Sequence, residues 1–98
     1  MTPSEPEAPK RNAPSVEAAF QAARVARALN ADWNEVRTHA QRAVDLAPGQ
    51  VAHRMLLVQV LMDGGASKLA KHHLEAVLRL EPSHEEARAL MRKTRWPF

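Results

Sequence analysis

The chain of 98 residues contains no cysteine. This absence excludes disulfide bonds, thiol catalysis and zinc sites built on cysteine, and it is typical of a reducing compartment. Aromatic residues are also few, since only Phe20, Trp33, Trp96 and Phe98 occur. Because much of the 45% apolar content is alanine, the composition favours close-packed helices over a β-sandwich.

Long apolar runs are missing as well. No run approaches the roughly 18 residues that a membrane span needs, and residues 1–14 lack the apolar centre of a signal peptide. We therefore expect a cytoplasmic chain with no membrane span. Its net charge of +3 permits an acidic partner without requiring one.

The first 14 residues (MTPSEPEAPKRNAP) contain four prolines and no large aliphatic side chain after Met1. Such a segment buries too little apolar surface to offset the entropy lost on ordering. We predict a disordered tail over residues 1–14 and a folded helical domain over residues 15–98.

Apolar residues then recur at helical spacing in five segments. Ser15 and Asp32 are predicted to cap the first two helices, and Ser83 with Glu86 forms a capping box before the fifth. The five helices are predicted to run from Ser15 to about Leu29, from Asp32 to Pro48, from about Val51 to Met62, from Ala66 or Ser67 to Pro82, and from about His84 to Arg95. The fold class is therefore all-α, with antiparallel helix–turn–helix units.

The chain repeats itself. Residues 43–48 (AVDLAP) align with residues 77–82 (VLRLEP), which places Pro48 and Pro82 34 residues apart. The same offset relates Ala23 to Leu57 in the first helices and aligns the turns and second helices. A helix–turn–helix unit with this period is the sequence pattern of tetratricopeptide repeats.

The chain resembles the tetratricopeptide repeat family over roughly residues 15–95. It has two repeats, at about 17–50 and 51–84, and a capping helix at about 84–95. Phe20 and Trp33 stand at the family's aromatic positions, Gly65 at the turn glycine and Ala70 at the small residue where helices cross. The match departs from the family at several positions, which are Arg24, Ala31, Val36, Arg54 and Val77.

The resemblance implies an α-solenoid that binds peptides on its concave face, which the first helix of each repeat lines. By register, the groove positions are Ala18, Gln21, Ala22, Val25, Ala28, Ala52, Met55, Leu56, Gln59 and Met62. Among these we select Gln21, Val25, Met55, Gln59 and Met62 as protein-binding residues. The positions hold no lysine or asparagine for a carboxylate clamp, and adaptable methionines suit an apolar or helical ligand.

This resemblance indicates a non-enzymatic interaction module, a scaffold, adaptor or co-chaperone of bacterial style. Self-association is an equal alternative, because about three repeats are generally needed for a stable array and this chain has two and a half. It would be a homodimer or a piece of a longer protein. Trp96 and Phe98 are also candidate protein-binding residues, which either fold back on the last helices or insert into a partner.

A second function class rests on a basic cluster near the end of the sequence, formed by Arg88, Arg92, Lys93 and Arg95. The cluster could bind nucleic acid or an acidic protein surface. Acidic residues interleave with it and it matches no nucleic-acid module, so nucleic acid is the less favoured partner. A solvated cationic helix end is the preferred interpretation.

Features of metal and catalytic sites are scarce. His72 and His73 are adjacent, so on a helix they point about 100° apart, and no histidine has another four residues later. We expect all five histidines on polar faces. No Gly-rich phosphate loop or nucleophile–base arrangement occurs, so we predict no enzyme activity, cofactor, metal or small-molecule substrate.

Overall fold

The computed structural model describes residues 15–95, with side chains over residues 15–94. This part of the chain forms five helices and no strand: α1 (Val16–Ala28), α2 (Trp33–Leu46), α3 (Val51–Asp63), α4 (Ser67–Leu80) and α5 (Glu85–Arg95). Each helix packs against the next, and α1 also touches α3. The predicted all-α fold of antiparallel helix pairs is confirmed. The predicted tail at 1–14, Trp96 and Phe98 lie outside the described residues.

Side-chain caps set where the helices begin. The Ser15 hydroxyl oxygen accepts from the N–H of Ala18 at 2.9 Å, and the Asp32 carboxylate accepts from the N–H of Asn34 at 3.1 Å. Each cap satisfies a backbone donor that has no partner within the helix. Both caps agree with the sequence prediction.

The predicted cap of α5 is wrong. The N–H of Ala87 donates to Nδ1 of His84 at 3.1 Å, so His84 occupies the capping position and Ser83 does not. The reason is a start one residue later than predicted, at Glu85. The cap is an imidazole nitrogen that accepts only when it carries no proton.

The centre of the fold is α3, which neighbours cover on nearly every side. Seven of its 13 residues are buried, namely His53, Met55, Leu56, Leu57, Val58, Val60 and Leu61. Its apolar residues surround the helix instead of forming one stripe, which is the pattern of a buried helix. Most of the apolar residues of α3 therefore pack inside the domain.

Small residues bring α1 and α2 together. Ala23, Ala40 and Ala43 are fully buried, and alanine at a crossing lets two helix backbones approach closely. Val36, which stands where the family has a small residue, is also buried at 4% exposure. The packing of the helices therefore accommodates the larger valine side chain.

The turns within the two helix pairs place their left-handed residue at positions that differ by one in the repeat alignment. The left-handed residue is Asn30 in the first turn (φ 57°) and Gly65 in the second (φ 78°), although Ala31 is the residue that aligns with Gly65. Asparagine adopts this conformation far more readily than alanine. The left-handed position therefore moves to Asn30. When the two helix pairs are aligned by the 34-residue offset, α1 ends one residue earlier than α3 does.

Arg54 on α3 links three segments by polar contacts. Its Nη2 donates to the carbonyl of Pro48 at 2.9 Å, and its Nη1 lies 3.0 Å from Nδ1 of His73 on α4. Because a guanidinium only donates, the contact needs an unprotonated Nδ1. Burial first, and then the positive charge of Arg54, lowers the pKa of His73 below its ordinary value.

Candidate functional site: a groove between the first, third and fifth helices

An open groove of about 330 Å³ lies where α1, α3 and the start of α5 meet. The floor comes from α3, one wall from α1 and the other wall from the start of α5. The lining residues are Phe20, Arg24, Ala52, Met55, Leu56, Gln59, His84 and Glu86. The first helix of each helical pair thus contributes to one shared surface.

The floor of the groove is apolar and largely buried. Met55 and Leu56 are 6% and 9% exposed, so most of each side chain packs into the core and only its edge faces the groove. Ala52, one turn earlier on α3, is exposed. Its methyl group leaves room above the floor for an apolar side chain of a ligand.

The wall on α1 is anchored by a stack of two rings. The Phe20 ring lies on the imidazole of His53, with 4.4 Å between centroids and 19° between planes. His53 is only 7% exposed, and its Nδ1 lies 3.4 Å from the carbonyl oxygen of Ala43. The expectation that every histidine lies on a polar face is therefore wrong for His53, because Phe20 covers it.

Arg24 provides a positive charge at the rim. Its guanidinium carbon lies 5.7 Å from the centroid of the Phe20 ring, within the range of a cation–π contact. Within residues 15–94, Arg27 and Asp63 form an ion pair and Nε2 of His84 lies 3.9 Å from the Glu81 carboxylate, so Arg24 pairs with no carboxylate there. An exposed cation held above an aromatic wall can meet a carboxylate of a ligand.

A chain of polar side chains crosses from α1 to α5 along the rim. Nε of Arg27 donates to Asp63 at 2.8 Å, and its Nη1 donates to the side-chain oxygen Oε1 of Gln59 at 3.2 Å. The Gln59 amide nitrogen then donates to Glu86 at 2.9 Å. The hydrogen bond that Arg27 donates to Asp63, opposed in part by burial, raises the pKa of Arg27. These bonds orient Gln59 and Glu86 at the groove.

The structure separates the protein-binding residues predicted from the sequence. Met55 and Gln59 line the groove together, while Gln21 and Val25 are exposed on α1 outside its lining. Met62 is half-buried and packs against the core.

Sequence reasoning did not select Phe20, Arg24, His84 or Glu86. One sequence feature could have pointed to Arg24, because an arginine stands there where the tetratricopeptide pattern that the sequence resembles has a small residue.

A second notch of about 400 Å³ lies at the turn between α1 and α2. Arg27 and Asp63, which form an ion pair between α1 and α3, stand in its wall together with the Trp33 indole. The Trp33 Nε1–H donates to the carbonyl of Val60 at 2.7 Å. The polar groups of this notch are thus occupied in joining α1 and α2 to α3. The groove is therefore the better candidate site.

Among the described residues, no three metal-ligating side chains cluster, and no helix is long and apolar enough to cross a membrane. The groove offers an apolar floor, a free cation and an oriented carboxylate, which are contacts for recognising a chain segment. Comparison with protein-family models and with curated proteins gave no match to this sequence.

Proposed function

We propose that this chain is a non-enzymatic protein-interaction module of the tetratricopeptide kind, which binds an apolar or helical segment of a partner protein in the groove. The observation that carries the proposal is the groove itself, which three helices from successive repeat units build together. The resemblance of the sequence to this repeat family supports the same role. A scaffold, adaptor or co-chaperone in a bacterial cytoplasm is the setting that fits it.

The ligand enters with an apolar side chain over Ala52 and between the edges of Met55 and Leu56. Arg24 on one rim receives a carboxylate, and Glu86 on the other rim receives a cation of the ligand. Gln59 has both ends of its amide bonded within the chain, so its role is to hold Glu86 in place. A short amphipathic helix with one acidic and one basic flank satisfies all of these contacts.

The test selects ligands and then blocks the groove. Helical peptides selected from a random library on the immobilised chain are titrated by calorimetry against Ala52→Arg, which fills the exposed floor without entering the core. The matched control is Ala89→Arg, another exposed alanine on a helix. We expect at least about tenfold weaker binding to Ala52→Arg and unchanged binding to Ala89→Arg. Equal binding to both variants would contradict the proposal.

The basic cluster on α5 remains a second candidate. Arg88 and Arg92 are exposed and border a shallow notch with Glu85 and Ala89, a mixture of charges that weakens attraction to a polyanion. A gel shift with single-stranded and double-stranded DNA at low salt tests this alternative. Binding that falls steeply with added salt would favour it over the groove.

A further inference from the structure

One side of α1 carries an apolar stripe that the described residues leave largely uncovered, since only Ala22 in it is half-buried. It consists of Ala18, Ala22, Val25 and Leu29, with Leu29 directly following the helix. The spacing of four, three and four residues is that of a coiled-coil seam. Val25 is 54% exposed and Leu29 is 74% exposed, so the two largest side chains of the stripe are also its most accessible.

The repeat explains why this stripe should have a neighbour. Thirty-four residues after Val25 and Leu29 stand Gln59 and Asp63, and both bond to Arg27 of the preceding helical pair. The same offset leads from Ala18 to Ala52 and on to Glu86, which bonds back to Gln59. These positions therefore face the preceding unit in α3 and α5. The equivalent positions of α1 are apolar, so we expect an apolar surface to pack against them.

The charges on the surface of the chain indicate which part of a second copy can cover the stripe. At the other end of the array, the exposed face of α5 carries Glu85, Arg88 and Arg92. Covering Val25 and Leu29 with that face would remove charges from water without pairing them. Head-to-tail stacking of copies is therefore disfavoured. The uncharged stripe of a second α1 is a complementary surface for this one.

The stripe is also self-complementary in size. Its first half holds two alanines and its second half holds valine and leucine. When two copies of α1 pack antiparallel, Ala18 lies opposite Leu29 of the second copy and Ala22 lies opposite Val25 of the second copy. Large side chains then fill the spaces above small ones across a two-fold axis, which closes the assembly at two chains.

We propose that a second copy of this chain covers the stripe, forming a two-fold dimer through antiparallel α1 helices. One helix pair buries on the order of several hundred Å² in total, less than the roughly 1,200 Å² of standard specific interfaces. The dimer is therefore weak and forms at high concentration. Phe20 and Arg24 lie on another side of α1, so the dimer leaves the groove open. Ligand binding in the groove and dimerisation through α1 can therefore be tested independently.

The first test is sedimentation equilibrium of the intact chain from about 10 µM to about 1 mM, a range that covers weak interfaces. We expect a monomer–dimer equilibrium that Leu29→Glu weakens at least about tenfold. Leu80→Glu is the matched control, since Leu80 is 50% exposed on α4, and it should change the dissociation constant by less than about twofold. A wild-type chain that stays monomeric, or equal weakening by both variants, overturns the proposal.

The second test uses the absence of native cysteine to read the pairing. An oxidised mixture of Ala18→Cys and Leu29→Cys chains should give a disulfide-linked heterodimer, while Ala18→Cys alone should not cross-link. A failure of the mixture to cross-link overturns the antiparallel register. Cross-linking of Ala18→Cys with itself indicates parallel helices, and cross-linking between Leu29→Cys and Arg92→Cys indicates head-to-tail stacking; either result overturns the two-fold dimer.

Discussion

Gly64 ends α3 beside the indole ring of Trp33, and this contact yields a sharp prediction. The backbone of Gly64 (φ −93°, ψ 6°) is open to alanine, but an added Cβ would overlap the Trp33 ring. The ring is held by its Nε1–H, which donates to the carbonyl of Val60 at 2.7 Å. Gly64→Ala must therefore displace the ring or the end of the helix.

The size of the effect follows from two contributions. Forcing a methyl group against a packed ring costs about 1–3 kcal/mol, and loss of the indole hydrogen bond adds about 1 kcal/mol. We expect Gly64→Ala to lower the free energy of unfolding by about 2–4 kcal/mol. In a Trp33→Leu background the obstacle is absent, and the same substitution should be neutral or stabilise by about 0.4–1 kcal/mol through the unfolded chain.

Urea unfolding of the wild type, the two single variants and the double variant, followed by helical circular dichroism, measures this coupling. Gly65→Ala is the control, because its positive φ of 78° strains alanine while nothing lies near its added Cβ. That variant should lose about 1–2 kcal/mol in both backgrounds. If Gly64→Ala costs the same in both backgrounds, the clash with Trp33 is not the cause and our reasoning is refuted.

Two further predictions concern histidines. His84→Ala should lower the free energy of unfolding by about 1 kcal/mol through loss of the α5 cap, while Ser83→Ala should change it by less than about 0.5 kcal/mol; the reverse order in urea unfolding would restore Ser83 as the cap. The lowered pKa of His73, caused by burial and then by Arg54 and His72, means that the unfolded chain takes up this proton first as pH falls. Its contribution is complete above about pH 6.5 and is lost as pH falls from there through the folded pKa. His73→Asn should flatten this part of the stability–pH curve, and an unchanged slope would contradict the assignment.

Local rules predicted the helices well because their ends carry local chemistry. Ser15 and Asp32 cap from their own side chains, and Pro48 and Pro82 follow the second helices of both pairs. In each case, the deciding interaction lies within a few residues along the chain.

The groove could be placed on the first helices from the repeat, but its wall on α1 could not be assigned. Alanines cover more than half of the circumference of α1, so the spacing of apolar residues does not determine which side meets α3. The stack of Phe20 on His53 decides it, and that contact joins residues from different helices. For the same reason, the burial of His53 and the collision between Gly64 and Trp33 are visible only in three dimensions.

The central claim is that a partner segment binds in the groove between α1, α3 and α5. Amide chemical shifts of the isotope-labelled chain, titrated with a selected helical peptide, test it residue by residue. We expect the largest changes at Arg24, Ala52 and Gln59, with little change at Arg88 and Arg92. Changes concentrated at Arg88 and Arg92, with an unperturbed groove, would contradict the account and favour the basic face of α5.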